Sequence, residues 1–135
     1  MFDIPDSGAQ NFNVGIDCED IERWRGMLPK LESGPQRKIF TEEEHRYCRS
    51  HKDPAPHYAA RWCAKEAVFK ALSPFCRISL RQIEIVTDQN GRPFCRFSDP
   101  EVMELAPAVS ISLSHSKQTA MAVAMVAIRK RGTNG

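Results

Sequence analysis

Residues 14–19 alternate without a break: Val14, Ile16 and Cys18 face one way, and Gly15, Asp17 and Glu19 face the other. That is the period of a strand with one face buried. The period then changes. Ile21, Trp24 and Leu28 recur at helical spacing, with Pro29 as the expected stop, and Ser33-Gly34-Pro35 marks a turn. Thr41 followed by Glu44 three residues later is a capping box, which predicts a helix over 42–50. A break from His51 to Pro56 precedes the main helix, which starts near Ala55 or His57 and runs to Leu72, where Ser73-Pro74 stops it. From Tyr58 to Leu72 there is no Gly, Pro or Asn.

The second half is mostly strand. Residues 82–87 are β-branched and alternating, Asn90-Gly91 is a strong turn signal, and residues 93–97 complete a hairpin. Ser98-Asp99-Pro100-Glu101 opens a short helix to Leu105, ended by Pro107. Residues 109–114 alternate with their serines on one face, and 120–128 is their partner across a turn at 116–119. The expected fold class is α+β, a mainly antiparallel sheet packed on a long central helix. Residues 1–12 lack periodicity and read as a loose leader, 13–129 as one domain, and 130–135 as a basic tail.

The central helix is apolar nearly all round, as a core helix is, yet it carries Arg61, Lys65, Glu66 and Lys70. Glu66 and Lys70 lie one turn apart and can pair. Arg61 and Lys65 have the same spacing and repel; either they hold a common anion or both run their stems out to solvent. On the first strand Asp17 and Glu19 share a face with Gly15, which leaves room for a ligand to approach the backbone. The other reading is a solvated strand end before a helix whose first turn favours acids.

Composition narrows the choice. At 135 residues the chain is a single domain, and a formal charge of +2 is too small for a general nucleic-acid binder. The longest apolar run, 120–128, is too short to span a membrane, and the start has no signal-like charge pattern. A cytoplasmic protein is expected. Five cysteines without any C-x-x-C indicate reduced core residues, neither a disulfide framework nor a zinc site. His45, His51 and His57 have no ligand spacing with His115 and read as surface or packing residues.

Three pieces in order resemble one family: Val14-Gly15-Ile16-Asp17, the helix Trp62-x-x-Lys65-Glu66-Ala67-x-x-Lys70, and Ile111-Ser112-Leu113-Ser114-His115-Ser116. They are similar to phosphopantetheinyl transferases of the small, holo-acyl-carrier-protein synthase class. Ile21-Glu22-Arg23, Phe40-Thr41-Glu42-Glu43-Glu44, Ile83-Glu84-Ile85 and Asn90-Gly91-Arg92-Pro93 extend the likeness over nearly the whole chain after the leader. The resemblance implies transfer of the phosphopantetheine arm of coenzyme A to a serine of an acyl carrier protein, releasing adenosine 3′,5′-bisphosphate. It implies Asp17 and Glu66 as Mg²⁺ ligands, with Glu66 or a metal-bound water taking the serine proton, and Lys70 and Lys65 steadying pyrophosphate charge. Asn90, Gly91 and Arg92 are implied near the nucleotide, and His115 with Ser116 at coenzyme A phosphates. Without the family, the Asn90-Gly91 tip is only a hairpin turn and His115 a capped turn histidine.

The larger transferase class carries a Gly-x-Asp-x-Glu pattern that Gly15, Asp17 and Glu19 reproduce, which makes Glu19 a third metal candidate. Arg23, at a family position, with Arg25, Lys30, Arg37 and Lys38, suits an acidic carrier helix. Members of this length form homotrimers with sites between subunits. One departure stands out: where the family continues with glycine and a flexible loop, this chain has Ser73-Pro74-Phe75-Cys76. The rival reading is a non-catalytic module that binds carrier protein or coenzyme A on the same fold.

Overall fold

The computed structural model describes residues 11–106 and 108–129. In chain order these form β1 (Asn11–Asp20), α1 (Ile21–Ser33), a 3₁₀ turn (Pro35–Ile39), α2 (Glu42–Arg49), α3 (Ala55–Leu72), a second 3₁₀ turn (Leu80–Gln82), β2 (Ile83–Thr87), β3 (Pro93–Phe97), α4 (Pro100–Leu105), β4 (Ala108–His115) and β5 (Thr119–Ile128). Most of the expected leader, the residue Pro107 and the basic tail lie outside the described residues. Asn11 and Phe12, assigned to the leader, belong to β1.

The α+β expectation is met, but the five strands divide between two antiparallel sheets. One has the order β1-β5-β4, and the other is the β2-β3 hairpin. α3 is the core. Twelve of its residues are buried, among them Ala59, Ala60, Ala64, Ala67 and Ala71. The inward face of β5 is equally small-chained, with Ala120, Ala122 and Ala124 buried. Small residues on both surfaces let helix and sheet backbones approach closely. The approach is tightest at Gly15, where a Cβ would lie 1.9 Å from the Ala67 carbonyl oxygen and 3.0 Å from the Ala71 nitrogen. Asn13 closes the same seam by donating from Nδ2 to the Ala71 carbonyl at 2.9 Å.

Two local expectations fail for a tertiary reason. Pro29 does not end α1, which continues to Ser33. Pro29 is exposed, so the carbonyl it leaves without a helical partner meets solvent, while fully buried Leu31 holds the next turn in place. The second concerns which face of β1 is covered. The face with Gly15, Asp17 and Glu19 lies on the helix, and Val14 and Ile16 point outward. On the same outer surface Met121, Val123 and Met125 of β5 are exposed, beside the β4 serines.

The seam predicts a sharp contrast between two glycines. Gly15→Ala, with backbone in the way, should lower unfolding stability by about 1–3 kcal/mol. Gly26→Ala, on α1 with nothing within 4 Å, should raise it by about 0.5–1 kcal/mol. Urea denaturation of both variants checks the pair.

Candidate active site

Because β1 lies against α3 at Gly15, the next inward residue, Asp17, reaches the helix beside Lys70 and Glu66. Lys70 Nζ donates to Asp17 Oδ1 at 3.1 Å and to the Ile16 carbonyl at 3.0 Å. The i,i+4 pairing with Glu66 is not what holds Lys70. Asp17 is largely covered, and its Oδ2 is buried without any partner. An unpaired carboxylate oxygen in such a place is costly unless something positive meets it. Glu66, half-buried, has its carboxyl pushed above the ordinary range by burial first and by Asp17 next; Lys70 opposes this, and Glu19 adds to it. Two carboxylates crowded by one ammonium suit a hard divalent cation with open positions for water and phosphate. Among the described residues no three or more His, Cys, Asp or Glu side chains are grouped to hold a metal.

Glu19 shares the face but is engaged elsewhere: its Oε1 accepts from Trp24 Nε1 at 2.8 Å and from Arg23 at 3.4 Å. Trp24 is itself fixed against Phe40 and Trp62, with ring centroids 5.9 and 5.5 Å apart. Buried Cys63 has its thiol pushed up by burial and then by Asp17 and Glu19, which leaves it an unreactive core residue.

Lys65 is corrected. It is 0% exposed, on another side of α3, and Nζ donates to Glu44 Oε1 at 2.6 Å and to the Ile83 carbonyl at 2.5 Å. Its presumed companion Arg61 is also buried and shares no anion with it: Nη2 donates to Thr87 Oγ1 at 2.6 Å, and the guanidinium lies 3.6 Å over the Tyr47 ring. Partners 21 and 26 residues away, outside any helical spacing, decided both.

The other expected residues fall at two further places. Gly91, with φ of +80°, and Arg92 line a cavity of about 620 Å³ together with Arg61, Thr87, Tyr47 and Ile111. Asn90 is beside them at the exposed tip, where Asp88 Oδ1 accepts from the Asn90 and Arg92 amides. His115 and Ser116 border a cleft with Arg25, Asp53, Pro56 and Lys117. Within one chain Asp17, Glu66 and Lys70 meet, while the tip and the Ser-His-Ser segment line two other places. His45 packs as expected, bonded to Tyr58 and to the Arg37 carbonyl. His51 and His57 stack on each other at 3.6 Å. The altered Ser73–Cys76 stretch coils back on the helix end, the amides of Phe75 and Cys76 both donating to the Leu72 carbonyl.

Residues 13–124 match the family model of the 4'-phosphopantetheinyl transferase superfamily. The chain belongs to this superfamily. Among curated relatives of this transferase, the holo-[acyl-carrier-protein] synthase of Protochlamydia amoebophila is 39% identical over 116 residues, covering 83% of this chain and 94% of that protein. The synthase of Thermodesulfovibrio yellowstonii is 34% identical over 113 residues, covering 84% and 96%. Among solved structures, the acyl carrier protein synthase of Mycobacterium tuberculosis has a TM-score of 0.65 at 38% identity, covering 84% of this chain and 95% of that one. The Bacillus anthracis synthase, solved in complex with CoA (3',5'-ADP), has a TM-score of 0.72 at 29% identity, covering 89% and 99%.

The strained carboxyl of the transferase leads to a stability test. A carboxyl whose folded pKa is raised binds its proton more readily in the fold than in the unfolded chain. Ionising it therefore costs stability as pH climbs from its ordinary 4.5 through the raised value. In EDTA, Glu66→Gln should melt above the parent at neutral pH, and the advantage should vanish below about pH 4.5. Thermal melts across pH read it directly.

Proposed function

We propose that Asp17, Glu66 and Lys70 carry out phosphopantetheine transfer on this chain with Mg²⁺, in a homotrimer whose subunits complete one another's sites. The enzyme moves the 4'-phosphopantetheine group of coenzyme A to a serine of an acyl carrier protein. The observation that carries the residue assignment is the buried, unpartnered Asp17 Oδ2 beside a second crowded carboxylate and a lysine. Asp17 and Glu66 would hold Mg²⁺, whose chemistry when bound would be neutralisation of pyrophosphate charge. Lys70, half-exposed and anchored on the Ile16 carbonyl, adds a positive charge at the same place. Glu66 accepts the proton of the serine hydroxyl. The serine oxygen bonds to the phosphorus bearing the pantetheine arm as the bond to the bridging oxygen breaks, and adenosine 3′,5′-bisphosphate leaves.

The nucleotide is assigned to the cavity walled by Gly91 and Arg92 with Asn90 at its tip, and its phosphates to His115 and Ser116. Their separation from Asp17 within one chain supports completion of each site by a neighbouring subunit. The outer sheet surface supplies a contact for that assembly: Val14, Ile16, Met121, Val123 and Met125, with Phe12, are 40–58% exposed and contiguous across the β1–β5 register. On the carrier side Arg23, Lys30 and Lys38 are exposed, Arg23 reaching Glu19 at 3.4 Å, while Arg25 is matched by Glu22 and Asp53, and Arg37 by Glu42. No helix among the described residues is long and apolar enough to cross a membrane, and a cytoplasmic role in fatty acid biosynthesis completes the reading.

Intact-mass analysis of apo acyl carrier protein with coenzyme A and Mg²⁺ should show one added phosphopantetheine, lost with EDTA and with Glu66→Ala. Coenzyme A binding without any transfer, across several carriers, would instead favour the non-catalytic module. Sedimentation velocity tests the assembly: a trimer for the parent, and monomers with little activity for Val123→Glu, which buries a charge in the apolar contact.

A further inference from the structure

The β2-β3 hairpin forms its own sheet, so β2 has an edge that no strand among the described residues covers. On such an edge the carbonyl of one residue and the amide of the second residue along point the same way. At Ile83 and Ile85, both buried, these groups would be stranded inside the protein. Glu44 and Lys65 meet them. Glu44 Oε2 accepts from the Ile85 amide at 2.9 Å, Lys65 Nζ donates to the Ile83 carbonyl at 2.5 Å, and the two charges close on each other at 2.6 Å. The ion pair stands in for a neighbouring strand.

Two further bonds fasten the same hairpin to the helices. Thr41 Oγ1 donates to Glu84 Oε2 at 2.6 Å, and Arg61 donates to Thr87. Beyond Thr87 the hairpin becomes the wall of the 620 Å³ cavity, contributing Asp88, Gly91, Arg92, Pro93 and Phe94. Tyr47 of α2 and Arg61 of α3, the helices that carry Glu44 and Lys65, line the same cavity, as do residues 109–113 of β4. The ion pair is thus one of three links, with Thr41–Glu84 and Arg61–Thr87, between the hairpin and the helices that share the cavity.

We propose that Glu44 and Lys65 are positioning residues, whose buried ion pair caps the open edge of β2 and so holds the hairpin wall of the nucleotide cavity at its working distance from α2 and α3. The proposal rests on the assignment of the nucleotide to that cavity. It gives Lys65 a structural task in place of a contact with substrate.

The test is the double variant Glu44→Gln with Lys65→Met. It removes both charges without leaving either buried alone, and the single amide oxygen of Gln still accepts from one of the two backbone amides, Thr41 or Ile85, that Glu44 serves. Three readouts separate the outcomes: amide hydrogen exchange, affinity for adenosine 3′,5′-bisphosphate, and steady-state kinetics. The expected result is faster exchange over residues 83–97 with β1 and β5 unchanged, affinity and KM for coenzyme A weaker by about tenfold, and kcat within about twofold. Unchanged hairpin exchange with a fall in kcat would overturn the proposal and return Lys65 to the pyrophosphate. A loosened hairpin with unchanged nucleotide affinity would also overturn it. In that case Arg92→Ala identifies the fault: weaker binding leaves the cavity assignment standing and removes only the clamp, whereas unchanged binding removes the cavity assignment.

Discussion

The contact between the Gly15 backbone and the Ala67 carbonyl is the constraint on which the molecule depends. Any side chain at position 15 would push β1 off α3, and Asp17 would leave Lys70 and Glu66 with it. The rest of the interface follows suit. Alanines line both the helix and the inward face of β5, because a bulkier residue on either would reopen the gap that Gly15 closes.

Close packing has an electrostatic consequence. It drives two carboxylates and a lysine into a partly desolvated corner, leaves one Asp17 oxygen without a partner and pushes the Glu66 carboxyl upward. A fold selected only for stability would place apolar groups there. Oxygen ligands and a lysine held at the end of a rigid seam suit a hard cation and phosphate, the use proposed for them. The same helix supplies the opposite case at Lys65, one residue before Glu66. There the charge is fully paired, fully buried and structural.

Much of the fold was legible in local pattern. The Thr41–Glu44 capping box forms with both of its bonds, the Asn90-Gly91 turn adopts the left-handed backbone its glycine permits, and the break at Ser73-Pro74 ends α3. The grouping of Asp17 with Glu66 and Lys70 was legible only through the likeness of three motifs to one family. No spacing rule connects residues about fifty positions apart. Pro29 misled because a local stop signal yields when Leu31 has a core to enter. For Lys65, neighbour rules for helices describe charges in water, whereas its side chain is fully buried.

Sequence alone determined the elements, their order and which residues share a face, since these depend on a period of two or 3.6 residues and on a few capping and turn residues. It also determined the chemistry on offer, the carboxylates and lysines themselves. Tertiary structure decided which face of β1 is covered, that the strands form two sheets, and that Glu44 claims Lys65 while Asp17 claims Lys70. Those outcomes depend on how surfaces distant in the chain fit together. A residue's partner is set by which backbones approach closely enough to exclude water, and that distance is written at Gly15 and Ala67 jointly, in neither position alone.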